Sequence, residues 1–139
     1  MNLIDVEKQY GLYKKEIDAA IQKVVDEAKF IMGPEVTLLE NELSRFLGVK
    51  HSIACASGTD ALLLALMAYG VKAGDEIITT PFSFIAAAEV IAFLKAVPVF
   101  VDVDPRTYNI DPTKITEVIT GKTRGIIAVD IFGQCANYD

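Results

Sequence analysis

Three short runs, Glu76 to Thr79, Val97 to Asp102 and Arg124 to Ile131, constrain this chain more than any other feature of it. Each has the length of a strand and carries β-branched residues, and a segment of helical length separates each from the next. The order strand, helix, strand, repeated, suits parallel crossovers. Runs that are apolar on both faces belong to a sheet covered by helices on both sides. The expected architecture is therefore α/β, a three-layer αβα arrangement around a mainly parallel sheet. A shorter run, His51 to Cys55, reads as one more strand.

The helices announce themselves by periodicity and punctuation. From Asp5 to Phe30, apolar residues at Ile17, Ile21, Val24, Val25 and Ala28 recur at three- and four-residue intervals among charged ones, the pattern of an amphipathic helix. Gly33 breaks it. Pro34 and Glu35 open a second helix whose apolar face carries Val36, Leu39, Leu43, Phe46 and Leu47, and Gly48 closes it. Packing is the plain role of that face. Leu62 to Tyr69 is a third helix ended by Gly70, a fourth follows Thr80-Pro81-Phe82-Ser83-Phe84 and runs to about Leu94, and Asp111 with Pro112 caps a short fifth one ending near Ile119. No linker, repeat or low-complexity stretch interrupts the pattern. The chain divides by character into a helical segment, about 1–48, and an α/β sheet region, about 49–139.

Between the run ending at Cys55 and the helix from Leu62 lies a small-polar turn, Ser57-Gly58-Thr59-Asp60. A turn that leads from a strand into a helix presents the free N–H groups of the helix's first turn, where the macrodipole adds partial positive charge. Ser57 and Thr59 add hydroxyls, and Gly58 has no Cβ to hold a phosphate away, so the turn can serve as an anion site. The plainer reading of the residues is an N-cap alone, with Ser57 and Asp60 in a capping box.

Charge and composition exclude several function classes. The 139 residues carry a net charge of -6, with a sequence pI near 4.7, against a nonspecific nucleic-acid binder. The longest apolar run, Ala61 to Val71, falls well short of the roughly 20 residues that span a bilayer. Charged residues from Asp5 to Lys15 precede any apolar block, so the start does not read as a signal peptide, and a cytoplasmic protein is expected. An apolar fraction of 52% suggests surface that something else covers. Cys55 and Cys135 form neither a disulfide framework nor a zinc pattern and are expected reduced and partly buried. His51 is the single histidine, which leaves little for His-based catalysis, and a structural role is the plain one. Asp102 and Asp104 form a D-x-D pair at a strand end, a possible Mg²⁺ pattern, but Pro105 and Arg106 follow, and a turn with local hydrogen bonds accounts for both; no metal site is assigned.

The string Ile53-Ala54-Cys55-Ala56-Ser57-Gly58-Thr59-Asp60-Ala61-Leu62 resembles the phosphate loop of the DegT/DnrJ/EryC1/StrS family of pyridoxal-phosphate (PLP) sugar aminotransferases of fold type I. The resemblance extends through Gly33-Pro34-Glu35, Gly74-Asp75-Glu76, Val101 to Pro105 and Gly133-Gln134-Cys135-Ala136. It implies that residues 1–139 form the N-terminal part of the PLP-binding large domain. It also implies an enzyme that moves an amino group from an amino acid, glutamate above all, to a nucleotide-linked keto sugar in polysaccharide or amino-sugar biosynthesis, working as a homodimer.

On the same resemblance, Ser57, Gly58, Thr59 and Asp60 hold the cofactor phosphate, and Phe84 takes the position of an aromatic ring against the pyridine face. Stacking needs a flat apolar surface, which Phe supplies. From the residues alone, Phe82 and Phe84 read as ordinary core residues at a helix start, and only the resemblance points Phe84 to the cofactor. The family's ring-nitrogen aspartate and Schiff-base lysine follow the Gly-Gln-Cys-Ala segment, so no catalytic residue is assigned here: none of the ten lysines matches that motif, and the 139-residue chain alone is expected to be inactive. Asp130 stands where many relatives carry a neutral residue or His. Some members of the family are sugar dehydratases, and the residue that separates the two activities lies past Asp139. For the chain alone a non-catalytic phosphate-binding fragment is the rival, whereas a dinucleotide-binding oxidoreductase lacks its GxGxxG. The stretch from Gly121 onward most resembles relatives acting on UDP-linked 3-keto-hexuronic acids.

Overall fold

The computed structural model describes residues 4–138. Their contacts separate into two units, residues 1–54 and residues 55–139.

The first unit contains two helices, α1 (Val6–Glu27) and α2 (Pro34–Leu47). The Asp5 carboxylate caps α1 by accepting from the Lys8 amide at 3.0 Å. The connection back to α2 is tight: a Cβ built on Gly33 would stand 2.3 Å from the Lys29 carbonyl oxygen, so the position excludes every other residue. Pro34 occupies the first turn of α2, and Gly48 ends it in the left-handed conformation, φ 67°. Lys23 on α1 pairs with Glu35 on α2 at 3.1 Å. Neither helix has a buried residue, so the apolar stripes expected to pack stay open, Ile21 at 59% and Phe46 at 85% exposure. Two helices alone cannot enclose a core.

The strand expected over residues 51–55 does not form. The Ala54 amide donates to the Glu40 side chain at 2.8 Å, so it is not available to a neighbouring strand, and His51 is exposed.

In the second unit the elements follow the expected order: α3 (Gly58–Ala68), β1 (Glu76–Thr79), α4 (Ala86–Phe93), β2 (Val97–Phe100), α5 (Pro112–Val118) and β3 (Thr123–Ile126). The sheet is parallel, in the order β2-β1-β3, with Ile77 and Ile78 opposite Pro98 and Val99 on one side and Gly125 and Ile126 on the other. Strand alternation sends Ile77 and Ile78 to opposite faces. Ile77 packs with Leu66 of α3 and with Val90 and Ile91 of α4. Ile78 packs with Val101 and Ile110, against which Ile115 and Val118 of α5 rest. The unit is thus the three-layer αβα structure read from the sequence, with β1 at its centre.

β2 and β3 stop earlier than the apolar runs do, at Phe100 and Ile126 instead of Asp102 and Ile131. The centre of the sheet explains this, because β1 gives way to Thr80 and Pro81, which has no amide to donate. The last rungs are Val101 N–H to the Thr79 carbonyl and Ile127 N–H to the Ile78 carbonyl, both 2.8 Å. Both cysteines are exposed, a correction to the expectation of partial burial: Cys55 precedes the α3 turn and Cys135 lies in the loop after β3, away from the core. Among the described residues, no helix is long and apolar enough to cross a membrane.

Candidate functional site

The polar turn sits where helix and sheet meet. Ser57 is the N-cap of α3, in extended conformation, and its Oγ accepts the Asp60 amide at 3.1 Å. Half of the capping box is therefore present: among the described residues no bond returns from the Asp60 carboxylate to the Ser57 amide. The intrahelical ladder begins at Ala61 N–H to the Ser57 carbonyl, 3.0 Å, which leaves the Gly58 and Thr59 amides without a partner among the described residues. The Thr59 hydroxyl has none either among the described residues. Gly58 is required neither by a left-handed backbone nor by packing, since a Cβ there would meet no atom within 4 Å. The open space where its Cβ would stand leaves room for a group approaching the turn from outside the chain.

These donors face a hollow of about 490 Å³. Gly58, Thr59 and Leu62 of α3 form one wall, Ser83 and Phe84 from the turn after β1 a second, and Ala128, Val129 and Asp130 from the segment after β3 a third. The hollow lies at the carboxyl ends of the parallel strands, where α/β sheets bind ligands. Phe84 is 75% exposed and so presents its ring to this space, not to the core. Its neighbour Phe82 is not a core residue either: it is 43% exposed, and its ring joins those of Tyr108 and Phe132 in a surface cluster, with centroids 5.7 and 6.3 Å away. Of the five residues singled out in the sequence, Gly58, Thr59 and Phe84 line the hollow. Ser57 and Asp60 belong to the same turn but not to the wall, and their mutual bond holds the turn in shape.

Asp130 is the one ionisable residue on that wall. Its Oδ1 accepts the Ala136 amide at 2.8 Å, its Oδ2 accepts the Tyr138 hydroxyl at 3.4 Å, and its carbonyl accepts the Gly133 amide at 2.9 Å. It thereby closes the Gly133–Ala136 loop onto the end of β3. Sequence reasoning registered Asp130 as unusual but did not place it at the site. In the sequence it fell inside the run read as a strand, Arg124 to Ile131, so its place past the strand's carboxyl end emerges only because β3 stops at Ile126.

The D-x-D pair lies elsewhere, in the loop between β2 and α5. Asp104 Oδ1 accepts the amides of Arg106 and Thr107 at 2.7 and 3.3 Å, and Oδ2 pairs with the Arg106 guanidinium at 3.0 Å. That guanidinium, first, and the Arg106 amide hold the Asp104 carboxyl down to a pKa of about 2. Asp102 Oδ1 accepts the Val103 amide at 2.8 Å. The local-turn reading accounts for both carboxylates.

Residues that could hold a phosphorylated, flat-ringed cofactor are thus gathered in one place: two partnerless amides, a hydroxyl, a helix N-terminus and an exposed ring. Comparison with known proteins agrees. Residues 12–139 match the model of the DegT/DnrJ/EryC1/StrS aminotransferase family. The UDP-2-acetamido-2-deoxy-3-oxo-D-glucuronate aminotransferase of Pseudomonas aeruginosa is 50% identical over the whole chain, which spans 39% of that relative. A crystal structure of a DegT DnrJ EryC1 StrS aminotransferase from Brucella abortus superposes with a TM-score of 0.88 at 43% identity, over 99% of this chain and 39% of that one. A structure of ntda from Bacillus subtilis with bound cofactor PMP does so with a TM-score of 0.86 at 36% identity, over 88% of this chain and 28% of that one. The chain spans about two-fifths or less of the length of these proteins, and its sheet is that of fold-type-I aminotransferases. It belongs to the DegT/DnrJ/EryC1/StrS aminotransferase family.

Proposed function

We propose that this chain is the N-terminal part of the cofactor-binding domain of a PLP-dependent sugar aminotransferase, and that the hollow beside α3 receives the cofactor. The observation that carries the reading is the meeting of the unpartnered Gly58 and Thr59 amides with the exposed Phe84 ring across one space. When bound, the cofactor supplies the electron sink that an amino-group transfer needs. The chain's part is to bind and orient it. The Gly58 and Thr59 amides would donate to the phosphate at the positive end of α3, with the Thr59 hydroxyl as a third donor. Ser57 and Asp60 keep the turn in shape, and Phe84 provides a flat apolar face for the ring. No lysine stands on the wall of the hollow, so the covalent partner of the cofactor is expected from sequence beyond this chain.

From the name of the half-identical Pseudomonas aeruginosa relative we infer a UDP-linked 3-keto-hexuronic acid as the substrate class. Glutamate as the amino donor and a role in surface-polysaccharide assembly are proposed on the family resemblance. A cytoplasmic homodimer is the expected working form. Thr59→Ala in the full-length protein tests the site. Loss of one hydrogen bond to a charged group weakens PLP retention by roughly 1–3 kcal/mol, read from equilibrium dialysis. Unchanged cofactor affinity with a lowered melting temperature would assign the turn to helix capping alone.

A further inference from the structure

Phe84 offers its ring to the hollow from a turn, not from a regular element, so something must hold that turn. α4 begins at Ala86 with no side-chain cap, and the turn's own bonds are short-range: the Phe82 amide to Thr80 Oγ1 at 3.2 Å and the Ser83 amide to the Pro81 carbonyl at 3.1 Å. The longer-range hold is made by Phe82, two residues before Phe84. Its ring meets Tyr108 and Phe132, which meet each other edge to face at 5.5 Å and 90°.

Both partner rings lie on loops that meet at Asn109, and the Tyr108 amide also donates to the Asp104 carbonyl at 2.8 Å within its own turn. Tyr108 has φ 60°, a left-handed conformation that a residue with a large side chain adopts only where its surroundings impose it. The next residue, Asn109, is 6% exposed, and its Nδ2 donates to the carbonyls of Gln134 and Cys135, each at 3.1 Å. Both amide hydrogens of the carboxamide are used, and both reach the loop that carries Phe132. From its other end, Asp130 ties the same loop down through Ala136.

We propose that Asn109 is a positioning residue for Phe84: by fastening the Gly133–Ala136 loop to the β2–α5 loop it holds Phe132 and Tyr108 against Phe82 and so fixes the turn that presents the Phe84 ring. The inference rests on the reading of the hollow as the PLP site, and the experiment separates the two. In the full-length protein, PLP dissociation constants, the visible circular dichroism of bound cofactor and the melting temperature are measured for wild type, Asn109→Asp, Phe84→Leu and the double variant. Asn109→Asp keeps the side-chain shape and removes both donors. It is expected to weaken PLP binding about tenfold and to change the dichroism, yet by less than about twofold when Leu replaces Phe84, because coupled residues are not additive. The melting temperature falls in both backgrounds.

The same loss of affinity in both backgrounds, or none in the wild-type background, overturns the proposal and leaves the cofactor reading standing. A wild-type protein that binds no PLP, or a Phe84→Leu variant that binds it unchanged, overturns the cofactor reading and this inference with it. Should Asn109→Asp fail to fold, Phe132→Leu, which removes the ring contact from the exposed end of the same path, enters the identical cycle with the same expected and overturning results.

Discussion

Asp104 shows how much a single carboxylate can settle. It receives two amides and one guanidinium within a four-residue turn, and the guanidinium of Arg106 is the largest influence on it. Because the folded-state pKa is depressed to about 2, the stability Asp104 contributes is fully present above the ordinary carboxylate range, near pH 4. It is lost as pH falls from there through about 2. An NMR titration of the Asp104 carboxyl is expected to give a midpoint near 2, moving upward when Arg106 becomes Ala. A midpoint near 4 in the unaltered protein would mean that the turn does not form in solution. The sequence made this turn legible because Asp-Pro-Arg encodes it locally. Asn109 was not legible, since its partners lie 25 and 26 residues away and nothing in its neighbours points to them.

Among the elements, β1 carries the unit. Its Ile77 and Ile78 are 1% and 0% exposed and anchor the two opposite cores, so truncating either one removes a layer contact and leaves a cavity. Ile78→Ala is expected to destabilise residues 55–139 by about 2–5 kcal/mol in chemical denaturation, whereas Ile126→Ala, at a position 48% exposed on the edge strand, costs distinctly less. Equal losses would show that the sheet centre is not the core. The strand and helix order was readable because apolar runs and caps are local signals: Ser57, Gly33 with Pro34, and Asp111 with Pro112 each mark a helix start within a residue or so. The failures were matters of pairing. Residues 51–55 have strand-like composition but give an amide to Glu40, and β2 and β3 end where Pro81 ends their shared neighbour. Composition cannot report whether a partner exists.

At the scale of the whole chain, the balance of covered and uncovered apolar surface governs behaviour in solution. β2 and β3 are both edges of a three-stranded sheet, each presenting unpaired backbone groups on its outer side. Beside β3, Leu62, Ala65, Tyr69 and Val71 join Gly125 and Ile126 around a largely apolar groove of about 370 Å³. In residues 4–54 the stripes of α1 and α2 remain open, with Ile21 at 59% and Phe46 at 85% exposure, and Ile31 between the helices is 92% exposed. Monomeric proteins rarely leave large apolar patches in water, and each unit carries exposed apolar residues of its own. A net charge of -6 opposes association at long range, but salt screens it within about 10 Å at 0.1 M. The 139-residue chain is therefore expected to self-associate, and added salt to strengthen the association. Sedimentation velocity at low and moderate ionic strength decides this, and a monodisperse monomer at both would refute it. The same preparation, treated with PLP and borohydride and then weighed, is expected to show no stoichiometric adduct, because none of its ten lysines stands on the wall of the hollow proposed to receive the cofactor. One site-specific reduced adduct per chain would mean that a lysine of this chain reaches the hollow after all, and that the covalent step does not need sequence from elsewhere.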